Sequence, residues 1–475
     1  MPAKRPPFPT NRSRKAALPQ RNAKPSGSRS SSAKPSNSTP TVTIDALSHE
    51  VRGIARLDGK TLFVDNALPG ETVKVRYLAQ RAKFDEAVAI EVLEAAPERQ
   101  VPPCPHYALC GGCALQHMQP DTQIAAKEKI LLDQLQRFAN VRPEQVMPPL
   151  TADIAGYRRK ARLGVRYVKQ AHTKGAGNKP QLVLGFREKR TNNLTDIREC
   201  LVMPETFSAQ LPQLHQLVDQ CRERRQISHI EVSAGEDATA LLVRHLKPLP
   251  QSDIQLWLDF VQQHGWHLYL QAEDTPHKIW PEDGEERLSY ALPEFNLTLN
   301  FHPQDFVQVN FAINRQMVHC AVELLDPQPE ERVLDLFCGL GNFTLPLATR
   351  AAEVVGVEGA LELTHRGREN AERNQLDNVK FQAADLTQDF STSPWAKGGF
   401  DKILLDPPRT GALEVVRNIT AFNASRIVYV SCNPATLARD TAELIRQGYR
   451  LSKAGVMDMF PHTTHVESIA LFERQ

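Results

Sequence analysis

The sequence predicts a multidomain α/β protein: a small N-terminal β-barrel of OB-like type, a central α+β region, and a C-terminal Rossmann-like doubly wound sheet. Three observations predict it. Residues 296–475 alternate apolar strand-like runs with amphipathic helical stretches, the pattern of a parallel sheet. Residues 41–97 are short alternating runs broken by Asp58-Gly59 and Pro69-Gly70, the grammar of a small antiparallel barrel. Between Val333 and Phe343, four apolar residues around Asp335 lead into Gly339-Leu340-Gly341 and a helix beginning near Phe343. In a doubly wound sheet the ligand sits at the carboxyl end of such a strand. The loop lacks the third glycine of a dinucleotide site, so NAD is not expected.

Residues 1–40 hold nine Lys or Arg and no Asp or Glu, so the net charge of +2 conceals a remainder near −7. With almost nothing to bury, this stretch is expected to be a disordered basic tail. It is either an arm that condenses on polyanions or a solubilising extension. No apolar run approaches the roughly 18 residues that span a bilayer, and no apolar core follows the basic start as in a secretory signal. Eight irregularly spaced cysteines in 475 residues do not form a disulfide framework. The expectation is a reduced, cytoplasmic protein with no membrane contact and no evident obligate protein partner.

Within 41–97, Val42 to Ile44, Leu62 to Val64, Thr72 to Tyr77 and Phe84 to Val92 read as strands. Barrels of this size often carry nucleic acid on one face. The region 98–295 opens with Cys104, Cys110 and Cys113, the last two separated by Gly111-Gly112, with Cys200 more distant. Soft thiolates at this spacing suit zinc or an iron–sulfur cluster. A zinc site usually wants two close pairs, which favours the cluster. Cys221, Cys320 and Cys338 have no ligand-like neighbours and read as small core residues.

A helical period runs from Gln123 to Phe138 through Ile124, Ile130, Leu131 and Leu135. Tyr157 to Arg166 then places Arg158, Lys160, Arg162 and Arg166 on one face of a strand, a candidate phosphate track. A Gly-rich hairpin around Lys174 to Asn178 precedes Arg187, Lys189 and Arg190. Residues 201–295 carry no evident chemistry. Gln308 and Asn310 alternate with apolar residues and, by themselves, read as exposed strand positions before an amphipathic helix ending at Leu325.

In 296–475 the predicted strands are Val333 to Leu336, Val354 to Val357, Val379 to Ala383, Lys402 to Leu405, Arg426 to Val430, Gly455 to Phe460 and Ser468 to Phe472. Polar outliers fall at their ends: Glu358, Asp385, Asp406, Cys432 and, in the last turn, His462, His465 and Glu467. A glycine loop followed by three strand-end acids is the layout of an S-adenosylmethionine-dependent methyltransferase, with Glu358 where a ribose diol would be gripped. Asp406-Pro407-Pro408 is followed by Arg409 rather than the aromatic residue of amine methylation, and this loop lacks the cysteine of cytosine-C5 enzymes. Cys432 suits another chemistry. A thiolate adding to carbon 6 of a pyrimidine makes carbon 5 nucleophilic toward a methyl group, after which a base must remove the C5 proton. Glu467 is the candidate base, and His462 and His465 read as turn residues or phosphate contacts.

Phe63 to Glu71 resembles the TRAM domain, an RNA-binding barrel, and Cys110 to His117 together with the C-terminal motifs resembles the bacterial RNA uracil-C5 methyltransferase family. The resemblance covers roughly residues 41–475 and leaves the basic tail outside. A TRAM-like barrel with four cysteines resembles the branch that makes 5-methyluridine at position 1939 of 23S rRNA. The resemblance implies that Gln308, Phe337, Asn342, Glu358, Asp385 and Asp406 bind S-adenosylmethionine, that Cys432 is the nucleophile and that Glu467 is the base. It further implies that Cys104, Cys110, Cys113 and Cys200 ligate a [4Fe–4S] cluster. Methyl transfer needs no oxidation step, so the cluster is expected to order the central region and help fold the RNA. The target uridine would be splayed from its stem. The alternatives are 5-methyluridine formation at another rRNA or tRNA site, a non-catalytic ribosome-assembly factor, and an iron–sulfur radical enzyme. A fourth thiol would leave the last of these no open iron.

Overall fold

The computed structural model describes residues 39–168, 181–283, 286–388, 390 and 393–475. The basic tail up to residue 38 and the hairpin around Lys174 to Asn178 lie outside the described residues.

The N-terminal sheet runs, in spatial order, Thr41–Thr43, Thr72–Gln80, Phe84–Glu94, Lys60–Asp65, Gly53–Leu57 and Ala46–Leu47. Alternation places Ile44, Leu62, Val64, Val73, Val75 and Ala87 inside it. The barrel is not wholly antiparallel, because Lys60–Asp65 and Phe84–Glu94 pair in parallel. Two successive reversals, into and out of Thr72–Gln80, bring the chain back in its original direction. Gly53–Leu57 was not among the expected strands.

The central sheet runs His277–Trp280, His267–Gln271, Thr239–His245, Ile227–Ala234, Lys160–Val168 and Gln181–Gly185. Leu163, Leu184, Ile230, Val243 and Leu268 pack with Leu214 and Val218 of helix Leu211–Gln220 and Trp257 and Val261 of helix Gln251–His264. That leaves Lys160, Arg162 and Arg166 on the other side of their strand.

The C-terminal sheet runs Val379–Ala383, Glu353–Glu358, Arg332–Leu336, Lys402–Leu405, Arg426–Ser431, Glu467–Arg474, Tyr449–Met457 and Gln145–Val146. The first five strands are mutually parallel, and Glu467–Arg474 enters antiparallel to both its neighbours. Burial on both faces explains the largely apolar sequences of the inner four, while the edge strand Val379–Ala383 keeps Lys380 exposed. The sixth strand in chain order is Tyr449–Met457, not Gly455 to Phe460. A register shift between Leu451 and Lys453 breaks its alternation and hides its start in the sequence.

Helix Pro120–Gln134 and strand Gln145–Val146 pack on this C-terminal sheet rather than the central one. The helix widens into a π-turn at Leu135–Ala139, which rotates Phe138 out of the buried stripe to 52% exposure. Gln308 and Asn310 are not strand residues. Their segment is an irregular lead-in to helix Phe311–Leu325, which Asn310 caps by accepting from the Ile313 amide. Among the described residues no helix is long and apolar enough to cross a membrane.

Candidate active site

One edge of the C-terminal sheet gathers the strand-end residues. In spatial order across six strands, the chain delivers Asp385, Glu358, Phe337, Asp406, Cys432 and Glu467 to that edge. Neighbouring backbone contacts tie them together: Ala384 N donates to Glu358 O at 3.0 Å, Phe337 N to Val357 O at 2.8 Å, and Asp406 N to Leu336 O at 3.3 Å.

The glycine loop follows Phe337, itself at φ +66°. Gly341 has φ +102°, and a Cβ there would stand 2.1 Å from Leu345 Cδ1, so a side chain is excluded by both backbone and space. Glu358 braces the loop from the next strand. Its carboxylate accepts from Gly339 N at 3.1 Å and Ala360 N at 3.0 Å. The Asn342 amide interlocks with Asn314, donating to Asn314 Oδ1 at 2.9 Å and accepting from Asn314 Nδ2 at 3.0 Å, and it also accepts from the Tyr290 hydroxyl at 2.9 Å. Sequence reasoning missed Asn314 and Tyr290; the only signal was an amide on the buried stripe of Phe311–Leu325. Gln308 lies half-buried in the lead-in to the same helix. Asp385 is exposed, and hydrogen bonds from Thr387 hold its carboxyl below the usual range.

Charge at the other end of the edge is arranged differently. Burial pushes the Asp406 carboxyl up to about 7. Ser431 and Ser468 face each other across antiparallel strands, so Cys432 and Glu467 are the next opposed positions outward. Burial, then Asp406, pushes the Glu467 carboxyl up to about 8, while Arg409 and Lys127 oppose the rise. Burial, then Glu467, pushes the Cys432 thiol up to about 11, with Arg409 again opposing. A carboxyl near neutrality suits a general base. The Arg409 guanidinium is held by His465, Nη2 to Nδ1 at 2.8 Å, and burial keeps that imidazole neutral at about 4. His462 is fully buried and therefore no phosphate contact.

Cys104, Cys110, Cys113 and Cys200 line one small cavity together with Phe186, Ile197 and Val202. Burial and the neighbouring thiols push Cys113 up to about 12 and raise Cys110 and Cys200. Among the described residues, no three of His, Cys, Asp or Glu are grouped so as to hold a metal ion. Gly111 between the cysteines has a local cause: a Cβ there would meet the Arg187 carbonyl at 2.9 Å.

A cleft of about 1530 Å³ runs between barrel and central sheet, lined by Arg52, Arg76, Arg162, Arg166, Arg187 and Lys189, and reaches Thr464 beside the active-site edge. The four-charge track is only partly there. Lys160 Nζ is turned away to the Asp305 carbonyl, and Arg158 lines the cysteine cavity instead. Arg190 is engaged across the barrel interface by Asp65 at 2.7 Å and Glu86 at 2.8 Å.

A parallel sheet with this strand order, a glycine loop at its first strand and acids at the next three ends define a class I methyltransferase fold. The family pattern described as tRNA (Uracil-5-)-methyltransferase matches residues 285–475, and that of the TRAM domain matches residues 36–84. The chain is 52% identical to a 23S rRNA (uracil(1939)-C(5))-methyltransferase RlmD of Alcanivorax borkumensis over 91% of this chain and 96% of that protein. It is likewise 52% identical to the RlmD of Hahella chejuensis, over 91% and 97% respectively. The crystal structure of Pyrococcus abyssi tRNA (uracil-54, C5)-methyltransferase in complex with S-adenosyl-L-homocysteine superposes with a TM-score of 0.69 at 25% identity, covering 91% of this chain and all of that one. The chain belongs to the RNA uracil-C5 methyltransferase family, in its RlmD group.

Proposed function

We propose that the protein transfers a methyl group from S-adenosylmethionine to C5 of a uridine in 23S rRNA, at position 1939 as in its named relatives. The observation that carries the reading is the opposed pair Cys432 and Glu467 beside Asp406, on the same sheet edge as the glycine loop. S-adenosylmethionine supplies an electrophilic methyl group. Phe337, Asn342, Glu358, Asp385, Asp406 and Gln308 would bind it, with Glu358 and Asn342 also bracing the loop. The Cys432 sulfur adds to C6 of the uracil, which makes C5 nucleophilic, and Arg409 favours the thiolate that must form. After methylation Glu467 takes the C5 proton, the C5=C6 bond re-forms and the sulfur leaves. Residues 41–97 and 98–295 would present the RNA through the basic cleft, and residues 296–475 would perform the chemistry.

The four cysteines would hold a [4Fe–4S] cluster. An all-sulfur donor set on one cavity fits it, and desolvation with neighbouring thiols raises Cys110, Cys113 and Cys200. The reading implies a cytoplasmic enzyme with ribosomal RNA as its partner. Anaerobically purified protein, labelled S-adenosylmethionine and unmodified 23S rRNA and tRNA provide the test, with Cys432→Ala alongside. Label in one 23S uridine, lost in the variant, is expected. Label only in tRNA would overturn the substrate, and no label in any RNA would overturn the activity.

A further inference from the structure

Helix Pro120–Gln134 carries two polar residues on its buried stripe, Gln123 and Lys127, one turn apart. Both reach the loop between Met457 and Glu467. Lys127 Nζ donates to the Asp458 carboxylate at 2.7 Å and to the Phe460 carbonyl at 3.0 Å. Gln123 Oε1 accepts from His462 N at 2.9 Å, while its Nε2 donates to the Met118 carbonyl at 2.8 Å. The His462 carbonyl accepts from the amides of Ala114 and Leu115 at 2.8 and 2.9 Å, just past Cys113. The Tyr157 hydroxyl donates to the Pro461 carbonyl at 2.9 Å. The loop is thus held by chain some three hundred residues away in sequence.

Two features make this anchoring costly. Lys127 is 0% and Asp458 4% exposed, and a buried ion pair yields little stability over an apolar pair of similar volume. His462 sits at φ +66°, a conformation that a non-glycine residue keeps only when its surroundings over-determine it. Buried charge and strained backbone both lie within nine residues of Glu467.

We propose that Lys127 and Gln123 are positioning residues for the methyl transfer: they fix the 458–466 loop so that the Glu467 carboxylate meets the C5 proton. The proposal rests on the reading of Glu467 as base. Its consequence is specific. With the base displaced, the Cys432 sulfur still adds to C6 and C5 is still methylated. Breaking of the C5–H bond then slows, and with it re-formation of C5=C6 and expulsion of the sulfur, so RNA remains covalently bound.

The test uses the full chain and an unmodified 23S rRNA fragment. Lys127→Met alone strands a buried Asp458, so it is paired as Lys127→Met with Asp458→Leu; Gln123→Met is made separately. The expected result is a kcat lower by roughly 10- to 100-fold. KM for S-adenosylmethionine and RNA should fall with it, leaving kcat/KM within about twofold of wild type, with a denaturation-resistant protein–RNA adduct, as in Glu467→Gln. Wild-type kcat without adduct in both variants overturns the proposal. So does a fall in kcat accompanied by a raised KM and a lowered melting temperature, the mark of a merely structural role. Wild-type protein that forms no 5-methyluridine would instead overturn the reading of Glu467, and does so with no substitution present.

Discussion

Asp335, under the glycine loop, should make the ligand-free protein less stable as pH rises, and Asp335→Asn should remove that dependence. The side chain is fully buried, accepts from Thr344 Oγ1 at 2.5 Å through Oδ2, and has no partner for Oδ1 among the described residues. Burial, with Asp406 and Glu358 adding like charge, pushes its carboxyl from 3.8 up to about 8. The folded state therefore keeps its proton after the unfolded chain has lost it. The stabilisation is complete below pH 4 and drains away as pH climbs through about 8. Each unit in that window is worth a little over 1 kcal/mol, so wild type should lose about 3 kcal/mol against Asp335→Asn between pH 5 and 7. Calorimetric unfolding of both proteins at pH 5, 6, 7 and 8 measures the difference, in which the other titrating groups largely cancel. A difference that stays flat across the series would refute the reasoning, because it would mean that Asp335 ionises in the fold as it does in water.

Other perturbations test the remaining parts. Gly341→Ala demands φ +102° of an alanine and puts its Cβ 2.1 Å from Leu345 Cδ1, so calorimetric titration should find S-adenosylhomocysteine binding abolished, at about 1–3 kcal/mol in stability. Wild-type turnover should rise with pH toward about 8 as Glu467 ionises, and Glu467→Gln should lower it by about 100-fold or more at every pH in steady-state assays of released 5-methyluridine. Cys200→Ser should reduce bound iron and sulfide in anaerobically purified protein, while the glycine loop, built on other elements, still binds S-adenosylhomocysteine with unchanged affinity. Arg190→Ala removes the contacts to Asp65 and Glu86 across the barrel interface; small-angle scattering should report a looser barrel, with RNA affinity lowered and its salt dependence no steeper than wild type.

Much of the catalytic edge was legible from the residues. Strand Lys402–Leu405 falls where its apolar run predicts, because a strand covered on both faces carries few polar residues, and Val379–Ala383 falls where expected although it is an edge strand with Lys380 exposed. For the same reason Asp385, Asp406 and Cys432 stand out at the strand ends. Gly341 was visible as a loop glycine, though its need for φ +102° was not. Other features were less legible. Tyr449–Met457 was misplaced because a bulge interrupts its period, and Lys160 was assigned to a basic track although its ammonium is taken by Asp305. The buried roles of Gln123 and Lys127 left no sign in the helical period, since periodicity weighs apolar residues and treats buried polar ones as surface.

The sequence by itself determined the three-part α/β organisation, the glycine loop, the strand-end acids and the four cysteines, and offered Cys432 and Glu467 as candidate nucleophile and base. These are local statements: alternation, turn residues and polar breaks in apolar runs depend on neighbours within a few positions. Only the tertiary structure decided that six strands would set Asp385, Glu358, Phe337, Asp406, Cys432 and Glu467 side by side. It alone brought the chain after Cys113 and helix Pro120–Gln134 to grip the loop before Glu467. Strand order and buried hydrogen bonds between distant segments are fixed by which surfaces exclude water together, and that selection leaves no short-range trace along the chain.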